Sequence, residues 1–269
     1  MCQSIARRAQ FIFAISTFVS LAAIGVAPAA FAQAAAAAHA PHWGYSGADG
    51  PSHWSDLDPS FATCKAGKRQ SPIDIKGAKK NSSLAPVQID YKSSPLKIID
   101  NGHTIRVNVA PGSSITVNGV AYTLTQFHFH RPSEEEIAGR KYPMVIHLVN
   151  ERAGGAAVIA LLVKAGAENP TVQKVWDNIP KEKDKENEVA GVAINAADLL
   201  PADQNYYSFD GSLTTPPCSE GVKWFVIKTP IEMSAAQIAA FAKLYPMNAR
   251  PIQPANGREI KESEFTTSK

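Results

Sequence analysis

From about residue 95 onward, apolar and polar positions alternate in short runs separated by turn signals. The runs "LKIID", "TIRVNV", "SITVNG", "YTLTQFHFH", "MVIHLVN", "AAVIALLVKAG" and "VKWFVIKTPI" read as strands, because period-two alternation of β-branched and aromatic residues suits a pleated surface. "SSPL", "DNGH", "APGSS", "VNGV", "AGGA" and "FDGS" read as turns between them. In "QFHFH", residues 126–130, alternation places Gln126, His128 and His130 on one face and Phe127 and Phe129 on the other. "MVIHLVN" divides the same way, Val145, His147 and Val149 against Ile146 and Leu148. "AVIALLV" is apolar throughout and predicts a strand buried on both faces. Helical spacing appears twice. "NPTVQKVWDNIP" offers Asn169 as cap and Pro170 at the first helical position. "SAAQIAAFAKLYP" opens with the capping-box pair Ser234 and Gln237. The charged run "KEKDKENE", 181–188, reads as a solvated loop, and the whole as one β-rich domain with peripheral helices.

The N-terminus changes that picture. Arg7 and Arg8 precede "FIFAISTFVSLAAIGVA" and then "PAAFAQ", the pattern of a secretory signal peptide. Cleavage after Ala32 fits the small residues best, leaving an Ala-rich leader over 33–40 and a mature domain over 41–269. An uncleaved membrane anchor is the alternative. The expected location is periplasmic or secreted. Without Arg7 and Arg8 the chain carries 25 basic against 24 acidic residues, a net of +1, which points to neither nucleic acid nor a membrane surface as partner. Cys2 leaves with the signal. Cys64 and Cys218 are then expected to pair in an oxidising compartment, the alternative being two free thiols.

Two imidazoles aimed from one strand face are a way to build a metal site. A catalytic zinc takes three protein ligands, with imidazole nitrogen at about 2.0–2.1 Å, and keeps one position open. His39, His42, His53, His103 and His147 are the other histidines. His147 is the natural third ligand, because its strand can pair with "TQFHFH" through the turn-rich insert "RPSEEEIAGRKYP". Taken singly, each histidine reads as readily as a polar-patch or core residue.

"QFHFHRPSEE", "YPMVIHLVN", "DNGHT", "RQSPIDI" and "DGSLTTPPCSEGVKWFVI" together resemble the α-class carbonic anhydrases of the secreted bacterial type, over about residues 42–262. The resemblance implies a mainly β (α+β) fold: a single domain on a large, mostly antiparallel ten-stranded sheet, few peripheral helices and a conical zinc cleft. It implies reversible hydration of carbon dioxide to bicarbonate and a proton. His128, His130 and His147 match the Zn2+ ligands. Thr214 matches the threonine that orients zinc-bound hydroxide, Glu134 the glutamate taking that threonine's proton, and His103 the proton shuttle. Val149, Val158, Leu213 and Trp224 match the apolar wall for the substrate, and Thr215 lines the cavity beside the zinc. Gln126 and the carbonyl of Asn248 match acceptors that orient ligand imidazoles. Cis bonds before Pro72 and Pro217, inhibition by anions and sulfonamides, and a homodimer also come with the resemblance.

The chain departs from the family pattern at three positions. Val145 stands where a glutamate commonly supports the third ligand, and Glu135 where a histidine commonly follows the motif glutamate. Glu135 is expected to supply the missing carboxylate behind His147. Arg106 replaces a neutral amide on the strand leaving His103, and its charge is expected to lower the shuttle's pKa. Two rival readings stand beside the resemblance. "HFHRPSE" also fits the His-x-His-x3-Glu pattern of cupin-like metalloenzymes. A non-catalytic carbonic anhydrase-related binding module would use the same fold without its chemistry.

Overall fold

The computed structural model describes residues 41–265. The expected signal peptide and leader lie outside the described residues. A twelve-stranded sheet forms the body, with ten strands along one continuous path. From one edge these are Asn187–Ile194, Ser94–Asp100, Ile105–Asn108, Val120–His130 and Met144–Arg152. Gly155–Ala165, Glu220–Met233, Tyr206–Ser212, Lys261–Glu262 and Lys79–Lys80 complete it. The sheet is mixed. Gly155–Ala165 runs parallel to Glu220–Met233, and Lys261–Glu262 parallel to Lys79–Lys80; its other pairs are antiparallel.

Alternation sorts the side chains of the central strands. Phe127, Phe129, Ile146 and Leu148 enter the larger apolar cluster. The helices Pro170–Trp176 and Ala235–Leu244 add Val172, Val175 and Phe241 to it. The Phe129 ring lies 4.6 Å from Trp176 and 6.1 Å from Phe241, centroid to centroid. Both helices start as their sequences predict. The Asn169 side chain accepts from the amides of Thr171 and Val172, and Ser234 and Gln237 form a reciprocal capping box. Residues 157–163 are buried throughout, as a strand with both faces covered requires.

Three segments differ from their sequence reading. "SSPL" enters the strand Ser94–Asp100, and "FDGS" ends the strand Tyr206–Ser212. Gly211 is there for space: a Cβ would meet Ser71 Oγ at 2.2 Å and Trp224 Cδ1 at 2.8 Å. The charged run 181–188 ends inside a strand, Asn187–Ile194, whose antiparallel pairing with Ser94–Asp100 overrides the polarity of Asn187 and Glu188. Cys64 and Cys218 are disulfide-bonded. The bonds before Pro72 and Pro217 are cis, as is that before Pro132.

Candidate metal centre

The strands Val120–His130 and Met144–Arg152 pair antiparallel with His128 directly opposite His147. Side chains directly opposite one another share a face, so His128, His130 and His147 converge. Their ring centroids lie 4.8–5.4 Å apart, and one nitrogen from each ring falls within 4.8 Å of the others.

The remaining nitrogen of each ring is taken. His128 Nδ1 lies 2.8 Å from Gln126 Oε1. His130 Nδ1 lies 2.8 Å from the carbonyl of Asn248. His147 Nε2 lies 3.3 Å from Glu135 Oε2 and 3.2 Å from Oε1. Each acceptor fixes the N–H on the outer nitrogen and leaves the inner one with a free lone pair. His130 Nε2 is buried without a hydrogen-bond partner. Burial holds all three imidazoles below their ordinary pKa, His130 to about 4, so they are neutral, as metal ligands must be. This donor set fits a divalent ion of zinc's preferences.

Glu134 and Glu135 are adjacent and fully buried. Strand geometry would send them to opposite faces. The chain bends at Glu134 and Glu135 instead, and the two carboxylates approach different nitrogens of His147. Glu134 Oε1 accepts the backbone N–H of Arg250 at 2.8 Å. Its Oε2 lies 3.5 Å from His130 Nε2 and 3.9 Å from His147 Nδ1. Burial and mutual repulsion raise the Glu134 pKa, while the neighbouring Thr214 hydroxyl favours the charged form. Desolvation raises Glu135 likewise. A dication held among the three neutral rings would favour the charged forms of both carboxyl groups.

The wall follows from the neighbouring strands. Val149, Val158 and Trp224 are buried in the second apolar cluster, with Leu213 partly buried against it. The Trp224 ring stands 4.9 Å from that of His147. Thr214 is buried and Thr215 half-buried. Thr215 is held by its carbonyl accepting from Cys218 N–H.

His103 is half-buried, its ring stacked on Trp43 at 3.8 Å and 5°. Its pKa lies below the ordinary value, first through desolvation, then through His42 and Lys183, with Asp184 opposing. The pKa lies below the ordinary value as expected, but through these groups rather than through Arg106. Arg106 pairs across the sheet with His128, and its charge acts on that ring.

Several positions around the site escaped sequence reasoning. Arg250 is buried, and its guanidinium donates to Gln70 Oε1 and to the carbonyls of Ser71 and Cys64. Burial raises the Tyr45 pKa, and the Glu134 charge adds to the shift. The Asn248 side chain donates to the carbonyls of His103 and Phe129 and accepts from Arg131 N–H. All are contacts between distant segments, and no local pattern announces them.

Residues 49–264 match the family described as eukaryotic-type carbonic anhydrase. A protein of Pectobacterium carotovorum named carbonic anhydrase is 48% identical over 229 residues, covering 84% of this chain and 93% of that one. Among solved structures, the α-carbonic anhydrase from Thermovibrio ammonificans in complex with the inhibitor sulfanilamide superposes with a TM-score of 0.80. It is 44% identical, covering 83% of this chain and all of that one. A hyperthermostable carbonic anhydrase from an active hydrothermal vent chimney gives the same TM-score and coverage at 46% identity.

Proposed function

The chain belongs to the eukaryotic-type carbonic anhydrase family, and from that membership we infer that it catalyses the reversible hydration of carbon dioxide, with zinc held by His128, His130 and His147. The observation that carries the metal assignment is the ring arrangement: three inner nitrogens converge while Gln126, Asn248 and Glu135 occupy the outer ones. Zinc bound there would supply Lewis acidity, lowering the pKa of a bound water from 15.7 to about 7.

The chain's own residues do the rest. The wall of Val149, Val158, Leu213 and Trp224 offers an uncharged, apolar substrate a surface without competing hydrogen bonds. Glu134, anchored by the Arg250 amide, takes the Thr214 hydroxyl proton as a hydrogen bond. The Thr214 oxygen then acts as acceptor, which aims the attacking oxygen's lone pair at the substrate carbon and selects ligands carrying a proton on the atom it meets. Glu135 positions His147 by accepting its Nε2–H. His103 takes the proton released by hydration and passes it to solvent, a task suited to an imidazole near neutrality.

Neither rival reading has support here. The cupin-like reading needs a different family, and the binding-module reading has to explain why all three histidines, Glu134 and Thr214 are present. Binding of sulfonamides is expected by similarity to the sulfanilamide-bound relative. The signal peptide and an extracytoplasmic location remain part of the proposal. The Cys64–Cys218 bond supports them, since disulfides persist in oxidising compartments. N-terminal sequencing of exported protein should begin at Gln33.

The deciding experiment is stopped-flow hydration on the purified mature protein. Activity should vanish on chelation and return with stoichiometric zinc. Activity that survives complete metal removal overturns the assignment.

A further inference from the structure

The strand Ile105–Asn108 divides by alternation. Ile105 and Val107 enter the core, while Arg106 and Asn108 turn to the face that carries the histidines. Arg106 stands opposite His128, and Asn108 opposite Gln126. Asn108 is occupied, donating to Glu186. Arg106 is not. Among the described residues no carboxylate forms an ion pair with it. Its Nε is buried with no hydrogen-bond partner.

That arrangement is unfavourable twice over. A buried donor without an acceptor loses the hydrogen bond it had in water. A guanidinium beside a metal centre also adds like charge to like charge. One species relieves both costs, a small anion lying between Arg106 and the metal centre. The reaction assigned above makes such an anion in every turnover and starts from a substrate without charge.

We propose that Arg106 is a specificity-determining residue for the bicarbonate side of the reaction, holding the anion through its unpaired guanidinium in the cleft beside His128. The proposal rests on the carbonic anhydrase reading of the site. A guanidinium keeps its positive charge across the working pH range and offers N–H donors to a small anion, so charge-assisted hydrogen bonding is what it contributes. The residue cannot favour one direction of the reaction. The equilibrium constant ties kcat/KM for hydration to kcat/KM for dehydration, so both shift by one factor. What Arg106 sets is how tightly the bicarbonate complex is held. Losing it raises KM for bicarbonate and weakens inhibition by product.

The test uses the zinc-loaded enzyme and its Arg106→Gln and Arg106→Lys variants, matched for zinc content and melting temperature. Inhibition constants for bicarbonate and thiocyanate are measured against hydration, with KM and kcat for bicarbonate from dehydration. Arg106→Gln should raise both inhibition constants roughly tenfold, about the weight of one charge-assisted hydrogen bond, and the difference should shrink with added salt. Arg106→Lys should keep the larger part of the affinity. A rise of less than about fivefold in the Gln variant overturns the proposal. So does a Lys variant as weak as the Gln variant, because packing rather than charge would then be at work. A wild-type enzyme that fails to hydrate carbon dioxide with zinc bound would instead overturn the reading of the site itself.

Discussion

The two faces of the strand Val120–His130 are built from neighbouring residues and obey opposite rules. Phe127 and Phe129 are fully buried against other apolar groups and need only volume and shape. His128 and His130, one residue along, need direction: each ring has one nitrogen fixed by an acceptor so that the other points at a shared centre. Packing tolerates small adjustments on the first face. On the second, a lost acceptor frees a ring to rotate. Stability and chemistry are therefore separable on one strand, residue by residue.

That separation can be broken or sharpened in four ways. His147→Ala removes a ligand, and carbon dioxide hydration should fall by the whole catalysed advantage, roughly 10⁶-fold or more. Its melting temperature, measured on metal-free protein, should move less than that of the next variant. Phe129→Ala leaves the ligands in place and should destabilise by about 3–5 kcal/mol, read by denaturant unfolding, with activity kept well below its melting point. A Phe129→Ala protein that stays fully stable would mean the faces are not divided as described.

Two smaller effects lie on the histidine side. His103→Ala should reduce kcat by roughly 10²-fold, leave kcat/KM nearly unmoved, and respond to added imidazole buffer. The wild-type kcat should rise with pH through a midpoint below the ordinary histidine value, since burial favours the neutral, proton-accepting ring. A limb centred above that value would contradict the assignment of His103. Glu135→Gln should speed zinc loss to a chelator by roughly 10-fold, at the low end of the usual range for a group behind a ligand. Its ring nitrogen resonances should show the His147 tautomer freed. Unchanged tautomer populations would show that Glu135 packs without positioning.

The division of faces was legible because it is local. Alternation alone separates Phe127 and Phe129 from His128 and His130, and the caps at Asn169 and Ser234 are written in four consecutive residues each. The third ligand came from pairing two such strands. The family resemblance supplied Thr214, Glu134 and His103, none of which carries a pattern of its own. Gly211 misled because a glycine that makes room for Ser71 and Trp224 looks in sequence like one that makes a turn. Arg106 misled because its chain neighbour His103 lies beyond the strand end, while its sheet neighbour is His128. Arg250 was invisible: its partners Cys64, Gln70 and Ser71 lie about 180 residues away.

Asn248 joins three parts of the molecule through one residue: its carbonyl meets the His130 ring, its amide meets the carbonyls of His103 and Phe129, and its side-chain oxygen meets Arg131 N–H. The His130 ring and the backbone at His103 are thus both tied to the C-terminal segment. Should that segment lift away, the exit route for protons and the grip on the ion would slacken in the same event. Heat inactivation should then appear as one loss rather than two, with turnover and ion retention failing in step.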